Sequence, residues 1–263
     1  MNSLTLSTVQ APNMDFFCRD LADYLSDHLH IPVHFLIDLP WTERDHLLDE
    51  GKIDLCWICG LPYVRKADRS PGAITPIVAP VMVASRYQDR PIYFSDVVVH
   101  RDSPFQTLDD LQGAAWAYNE PGSQSGYGVV RYALAVRGET LGFFGRVIES
   151  GAHQTSLQMI LRREVDASAI DSTVLEQELN DDPDIGSRIR VIDTFGPSPI
   201  PPWVVTERAS LQMRQSLQEI LTGMDSRPAG RAILEKACIA RFARVDDRDY
   251  DPIREMARIG LGK

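Results

Sequence analysis

Two loops of this sequence combine hydroxyl side chains and glycines at points where a helix is predicted to begin. They read Asn119-Glu120-Pro121-Gly122-Ser123-Gln124-Ser125-Gly126 and Ser150-Gly151-Ala152-His153-Gln154-Thr155-Ser156. The first four N–H groups of a helix lack intrahelical partners and lie at the positive end of the helix dipole, so a phosphate or carboxylate binds well there. Two such helix starts predict one anionic ligand that contacts both.

The cysteine pair Cys56 and Cys59 is the other motif with possible chemistry, because its spacing is that of a redox or metal-binding pair. It overlaps the apolar run Ile53–Ile58, which favours inert buried thiols over either activity. The sequence shows no nucleophile, base and orienting group at a recognisable spacing, no Walker or dinucleotide-binding loop and no cluster of metal ligands. We therefore predict no catalytic residue, no metal site and no cofactor.

Composition excludes some partners. The chain has 263 residues, of which 44% are hydrophobic, and its 37 acidic against 27 basic residues give a formal charge of -10. Such a charge argues against a nucleic-acid partner, and no apolar run approaches the roughly 20 residues that span a bilayer. The first residues are predicted to form a strand at once, so the protein is cytoplasmic if Met1 is the native start and periplasmic or otherwise extracytoplasmic if a leader was removed.

Strand-like runs alternate with helix-period segments, which predicts an α/β protein with a mainly parallel sheet. We expect a first lobe from residues 1–85 and 200–263 and a second lobe from residues 90–195. Two strand-like crossings, near 83–93 and 192–203, are expected to join them, and only helices are expected after Val205. The first-lobe strands are predicted at 4–9, 32–37, 53–58 and 74–78, and those of the second lobe at 93–99, 114–118, 146–148 and 165–170.

A series of short motifs, in their order and spacing, covers nearly the whole chain. They are Gly51-Lys52-Ile53-Asp54-Leu55, Gly60-Leu61-Pro62-Tyr63-Val64, Tyr93-Phe94-Ser95-Asp96-Val97-Val98-Val99, Asp109-Asp110-Leu111-Gln112-Gly113, Ser123-Gln124-Ser125-Gly126, Ser150-Gly151-Ala152-His153, and Glu164-Val165-Asp166-Ala167 followed by Asp171-Ser172. This succession resembles the phosphate/phosphonate solute-binding family of ABC importers. The resemblance implies a type II periplasmic-binding-protein fold, with two α/β lobes and a ligand cleft between them, and no chemistry on the ligand.

The resemblance also implies roles for individual residues. Ser123 and Ser125 become donors to ligand oxygens, and Gln124 replaces the middle hydroxyl of the family motif. His153 matches the family histidine that contacts the phosphonate group, and Tyr93 matches a ring that lines the cleft. Asp171 lies where the family has a polar ligand contact. The carboxylates that surround an ammonium group in aminoalkyl-phosphonate binders are replaced here, at Thr173 and at Pro201 and Pro202.

Each of these residues also has a purely structural interpretation. The serines and Asp171 are common helix caps, His153 is a surface or capping residue, and Tyr93 packs in a strand. Trp57 and Tyr63 either line the ligand-facing wall of the first lobe or pack inside it.

The preferred function is a solute-binding protein that captures a phosphonate, phosphate or phosphite-like oxyanion for an ABC importer, with the transporter permease as its partner. A cytoplasmic ligand-sensing protein of the same fold and, below it, a small-molecule enzyme are the alternatives.

Overall fold

The computed structural model describes residues 2–262, in which β-strands and helices follow one another along the chain. Within these residues the strands, numbered in chain order, are β1 Leu4–Thr8, β2 Val33–Leu36, β3 Leu55–Trp57, β4 Ile74–Met82, β5 Ile92–His100, β6 Ala115–Tyr118, β7 Arg146–Glu149, β8 Ala167–Asp171, β9 Ile189–Pro199, β10 Trp203–Thr206 and β11 Ile239–Arg244.

The α-helices fill most of the segments between the strands. In chain order they are α1 Asp15–Leu29, α2 Trp41–Asp49, α3 Gly60–Arg69, α4 Val129–Val136, α5 His153–Leu161, α6 Ser172–Asp181, α7 Asp184–Arg188, α8 Leu211–Thr222, α9 Pro228–Lys236 and α10 Asp251–Leu261. A short π-helix, Gln124–Gly128, precedes α4 directly. The α/β class predicted from the sequence is confirmed.

The chain divides into two compact units. Unit 1 comprises the residues up to Ile92 together with Pro199–Asp251, and unit 2 comprises Tyr93–Ser198 and the chain from Pro252 onward. The chain therefore passes from one unit to the other at three points, whereas the sequence predicted two. The difference lies in the C-terminal tail, which was expected to belong to the first lobe as a whole.

The last helix joins unit 2 because its apolar side has partners there. Met256 packs against a buried cluster of unit 2 that includes Trp116, Val130 and Leu134. Gly260 lies so close to the backbone of Tyr132 that an added Cβ would approach its nitrogen to 2.5 Å.

Unit 1 contains a six-stranded sheet with the order β11-β4-β10-β3-β1-β2. β1 pairs in parallel with both β2 and β3, but β10 is antiparallel to β3 and β4, and β11 is antiparallel to β4. The prediction of a mainly parallel sheet is therefore wrong for unit 1, because two strands return from later in the chain in the opposite direction. β11 is also a strand where only helices were expected.

Unit 2 contains a five-stranded sheet with the order β7-β6-β8-β5-β9. β6 is parallel to β7 and to β8, and β5 is antiparallel to β8. Buried apolar side chains cover both faces of the sheet: Trp116, Leu111 and Leu134 belong to one cluster, and Leu157 and Ile160 belong to the other. This sheet positions the residues that the sequence singled out for anion binding.

Candidate functional site

The predicted ligand residues of unit 2 lie at one edge of its sheet, where several strands end. β6, β7 and β8 are parallel, so their carboxyl ends lie at the same edge. The loop from Asn119 follows β6, the loop from Ser150 follows β7, and Asp171 is the last residue of β8. β5 runs antiparallel to β8 with Ser95 opposite Asp171, which brings the start of β5 to that edge as well. Ligands of open α/β sheets bind at the carboxyl ends of strands.

Ser123 caps the first of the two helix starts. Its Oγ accepts a hydrogen bond from the Gly126 N–H at 3.0 Å, and its carbonyl accepts one from the Gly128 N–H at 2.9 Å. The second bond spans five residues and makes this turn a π-helix, a wider form that is found mostly as single turns at functional sites. The α-helix α4 continues from Val129.

The second helix start brings His153 to the first. His153 is the first residue of α5, and its Nε2 lies 3.0 Å from the Oγ of Ser125. The Oγ atoms of Ser123 and Ser125 are 3.4 Å apart. The structure thus collects Ser123, Ser125 and His153, all of which are buried, into one hydrogen-bonded group.

The electrostatics of this group follow from its burial. Desolvation lowers the pKa of His153 from 6.5 to about 4, so the imidazole is neutral at neutral pH. A neutral imidazole has one donor and one acceptor nitrogen. Nε2 is occupied by Ser125, while Nδ1 is buried and has no hydrogen-bond partner within residues 2–262. A ligand oxygen or hydroxyl at this point would satisfy it.

Tight contacts hold the two loops together. The Gly151 N–H donates to the Asn119 carbonyl at 2.8 Å, and the Ser150 N–H donates to the Tyr118 carbonyl at 2.8 Å. The Ser150 and Ser156 hydroxyls lie 2.6 Å apart. Gly151 has φ +86°, a left-handed conformation that glycine adopts without strain.

Asn119 is a component of this group that the sequence interpretation did not single out. A Cβ built on Gly126 would lie 2.0 Å from the Asn119 Oδ1 and 3.1 Å from the His153 Cε1, so both side chains pack against this glycine. The position of Asn119 immediately after β6, at the carboxyl end of a parallel strand, is the feature of the sequence that could have indicated it.

The other predicted residues of unit 2 have clear structural roles. Gln124 is fully buried, and its Nε2 contacts the Met256 Sδ at 3.2 Å. Asp171 caps α6 by accepting from the backbone N–H of Thr173 at 2.9 Å and from its hydroxyl at 2.8 Å. Burial, with a smaller effect of the nearby Asp96 carboxylate, raises the pKa of Asp171 from 3.8 to about 6. Tyr93 is almost completely buried at the start of β5.

Trp57 and Tyr63 belong to unit 1 and pack inside it. The Trp57 ring stacks on Trp203 with centroids 5.5 Å apart, and its Nε1 donates to the Pro201 carbonyl at 3.0 Å. Tyr63 donates to the Asp247 carboxylate at 2.5 Å and contacts Tyr250 edge to face. These contacts account for both rings as packing residues; the prediction that they contact the ligand stays a prediction.

Cys56, the first cysteine of the pair, does not have the environment of a reactive thiol. Burial raises the pKa of the Cys56 thiol to about 12, which disfavours the thiolate that redox chemistry and metal binding require. Across residues 2–262, no three His, Cys, Asp or Glu side chains are grouped in a way that could hold a metal ion.

Comparison with known proteins identifies the family. The family model described as "ABC transporter, phosphonate, periplasmic substrate-binding protein" matches residues 6–250. The chain belongs to this family. The resemblance inferred from the motifs is therefore confirmed, and the family consists of substrate-binding components of transporters.

A curated relative in this family is the phosphonates-binding periplasmic protein of Escherichia coli (strain K12), which is 24% identical over 212 residues. The matched region covers 79% of this chain but 61% of that protein, which is less than two thirds of its length.

Solved structures agree on the fold. A binding protein component of an ABC phosphonate transporter from Pseudomonas aeruginosa superposes with a TM-score of 0.86 at 17% identity, covering 98% of this chain and 86% of that one. PhnD1 from Prochlorococcus marinus, solved in complex with methylphosphonate, superposes with a TM-score of 0.84 at 18% identity, and the match covers 98% of this chain and 97% of that one. The predicted type II periplasmic-binding-protein fold is thereby confirmed. Between residues 2 and 262, none of the helices has the length and apolar character needed to cross a membrane.

Proposed function

We propose that this chain captures a small phosphonate through Ser123, Ser125 and His153 and delivers it unchanged to the permease of an ABC importer. One observation carries the proposal: two helix starts meet in a buried, hydrogen-bonded group of two hydroxyls and a neutral imidazole. Membership in the phosphonate substrate-binding family supports the choice of ligand and of an extracytoplasmic location.

The chemistry of this group suits an oxyanion. The hydroxyls rotate to donate, the Nδ1 of the imidazole has no partner among residues 2–262, and the N–H groups of two helix starts supply positive potential. Of the remaining predicted residues, Tyr93, Gln124 and Asp171 are proposed to shape and support the site. Trp57 and Tyr63 are proposed to contribute through packing.

The Ser125–His153 pair does not suit catalysis. A serine nucleophile needs a base with a pKa near the working pH and a third group that orients it. Burial holds the pKa of His153 near 4, and among residues 2–262 no carboxylate or other acceptor contacts its Nδ1. These features support binding without turnover.

The test is calorimetry of the purified protein with methylphosphonate, phosphate, phosphite, a sulfonate and a carboxylate, together with native mass spectrometry. We expect methylphosphonate to bind and to be recovered intact. Loss of both serine hydroxyls in a Ser123→Ala, Ser125→Ala variant should weaken binding by about 100- to 10,000-fold, because each hydrogen bond to a charged group contributes about 1.5–3 kcal/mol and two are lost.

Ser210→Ala is the matched control, since the Ser210 hydroxyl caps α8 in unit 1 by accepting from the Met213 N–H at 3.2 Å. Loss of this cap should cost about 1 kcal/mol of stability and no affinity. The proposal fails if methylphosphonate does not bind, if it is converted, or if the double serine variant changes only the melting temperature. Stimulation of a reconstituted importer's ATP hydrolysis by the liganded protein would test the permease partner.

A further inference from the structure

The buried group at the two helix starts of unit 2 includes an acceptor that the contacts proposed above do not use. The side-chain amide of Asn119 places its Oδ1 against Gly126, and this oxygen is buried without a hydrogen-bond partner in residues 2–262. The main-chain carbonyl of Asn119 accepts from the Gly151 N–H at 2.8 Å, which fixes the residue between the two loops. A buried acceptor that stays unpaired destabilises a protein, so this oxygen requires an explanation.

The Asn119 Oδ1 lies beside the imidazole of the proposed site. A Cβ added to Gly126 would overlap this oxygen and would lie 3.1 Å from the His153 Cε1, the ring carbon that is bonded to Nδ1. The Nδ1 atom is also buried and has no partner in the described chain. The amide oxygen and the imidazole nitrogen therefore border the same glycine, and one small ligand at this point can contact both.

Other acceptors at this edge of the sheet already have donors. The Asp171 carboxylate accepts from the N–H and the hydroxyl of Thr173. The Ser123 Oγ accepts from the Gly126 N–H at 3.0 Å. By contrast, no residue between 2 and 262 donates to the Asn119 Oδ1. The missing donor would then come from the ligand, because a carbonyl oxygen can only accept a hydrogen bond.

A phosphonate can supply this donor, whereas a sulfonate of the same shape cannot. At pH 5.5 an alkylphosphonate carries a single negative charge and retains one P–OH group. An alkylsulfonate has the same charge and the same tetrahedral head but no proton. A carbonyl oxygen accepts from the P–OH group and repels a sulfonate oxygen in the same place. Sites with a buried polar group reject an analogue that cannot pair with it.

We propose that Asn119 is a specificity-determining residue: its Oδ1 accepts the proton of a singly protonated phosphonate, and the site thereby rejects sulfonates. This inference rests on the proposed function, because it adds a ligand contact to the same site. The serine hydroxyls and the N–H groups of the helix starts bind the charged oxygens of the phosphonate, and Asn119 binds the protonated oxygen.

The experiment compares methylphosphonate with methanesulfonate by direct and competition calorimetry at pH 5.5. We expect the wild type to bind methylphosphonate at least about 100-fold more tightly, because the sulfonate lacks one hydrogen bond and leaves a buried acceptor unpaired. Asn119→Ala should reduce the ratio of the two affinities at least about tenfold, by weakening the binding of methylphosphonate and not that of methanesulfonate. A purely structural role of Asn119 would weaken both ligands alike and leave the ratio as in the wild type.

Two further variants make the result specific. Asn180→Ala removes an exposed asparagine from α6 of the same unit and should leave both affinities unchanged. Asn119→Asp keeps acceptor oxygens in a side chain of the same shape and cannot present an N–H group. It should therefore retain the preference for methylphosphonate, although its charge weakens both ligands, and it provides a second measurement if Asn119→Ala does not fold. A preference that is lost in Asn119→Asp would show that the amide N–H group, and not the oxygen, contacts the ligand.

The outcomes separate this inference from the proposed function. If the wild type binds methylphosphonate but binds methanesulfonate equally well, or if Asn119→Ala leaves the ratio of the two affinities unchanged, the role of Asn119 is wrong and the proposed function stands. If the wild type does not bind methylphosphonate, the proposed function fails and the role of Asn119 fails with it.

Discussion

His153 is the residue of the proposed site whose properties follow most directly from its burial. Its pKa is held near 4 by desolvation, so the protein without ligand keeps the imidazole neutral. An anion in contact with the ring favours the charged form and raises this pKa. Binding and proton uptake are therefore linked in the proposed site.

We predict that binding of methylphosphonate takes up protons at pH 6–7 and that His153→Gln removes this uptake. The affinity of the wild type should strengthen as pH falls below the pKa of His153 in the complex and should level off near the value of about 4 that it has without ligand. Calorimetry in two buffers of different ionisation enthalpy measures the number of protons. Equal proton numbers in the wild type and the variant would show that the ligand alone titrates.

We also predict that His153 and Asp171 give opposite pH dependences to the stability of the unliganded protein. The folded-state pKa of His153 is lowered from 6.5 to about 4, so its contribution to the free energy of unfolding is lost as pH falls through this range. The pKa of Asp171 is raised from 3.8 to about 6, so its contribution is lost as pH rises from about 4 to 6. Each effect amounts to about 3 kcal/mol at most.

Denaturant unfolding at pH 4, 5, 6 and 7 separates the two contributions. His153→Gln should gain stability relative to the wild type as pH falls from 6.5 to 4. Asp171→Asn, which keeps a capping oxygen, should gain relative to the wild type as pH rises from 4 to 6. Parallel curves for the wild type and either variant would contradict the corresponding assignment.

The first helix start depends on close packing around Gly126. A methyl group there would lie 2.0 Å from the Asn119 Oδ1, so the asparagine side chain must move, and it would also press on the His153 ring. We predict that Gly126→Ala lowers methylphosphonate affinity at least tenfold and destabilises the protein by about 1–3 kcal/mol, the usual cost of overpacking.

Gly122→Ala is the control for this prediction, because in the same loop its Cβ would meet nothing closer than the Glu120 Oε1 at 3.7 Å. Adding Asn119→Ala to Gly126→Ala should restore part of the stability. A Gly126→Ala protein that binds as the wild type does would mean that the packing seen here is not needed for the ligand.

The same helix start shows how far the sequence could be interpreted. The loop and its serines were evident because Ser, Gly and Pro have strong local preferences, and a helix was predicted to begin at this loop. The observed π-helix at Gln124–Gly128 was not predicted, and neither was the contact that its buried Gln124 makes with Met256, 132 residues away. Local pattern predicted that the two helix starts contact one ligand, but it did not predict the direct contact between Ser125 and His153, which are 28 residues apart.

β11 was missed for a related reason. Its residues, Ile239–Arg244, bury only Ile239 and Phe242, which are three positions apart, and include two arginines. What makes the segment a strand is its pairing with β4, where Phe242 lies opposite Pro80. Tertiary pairing overrides local propensity in such segments.

The C-terminal helix α10 contributes to the stability of unit 2 by packing against α4. Gly260 packs on backbone atoms of Tyr132, which cannot move aside as a side chain would. We predict that Gly260→Ala lowers the free energy of unfolding by about 1–3 kcal/mol, although alanine is the better helix former. Arg258→Ala, which removes an exposed pair with Glu255, should change it by less than about 1 kcal/mol.

Thermal unfolding monitored by circular dichroism measures both variants of α10. A Gly260→Ala protein at least as stable as the wild type would show that α10 is not held against Tyr132. In that case the assignment of this helix to unit 2 would have to be revised.

The assignment of α10 to unit 2 also has a consequence for how the protein is made. A ribosome delivers the chain amino end first, and domains fold largely as they emerge. Here unit 1 must wait for β10 and β11, and unit 2 must wait for the residues after Pro252, although most of its sheet was synthesised much earlier. Nascent chains that lack these residues therefore expose the apolar surface that they cover, and unit 2 is completed after β10 and β11 have been made. Chaperone demand during synthesis should accordingly persist until the final helix has emerged.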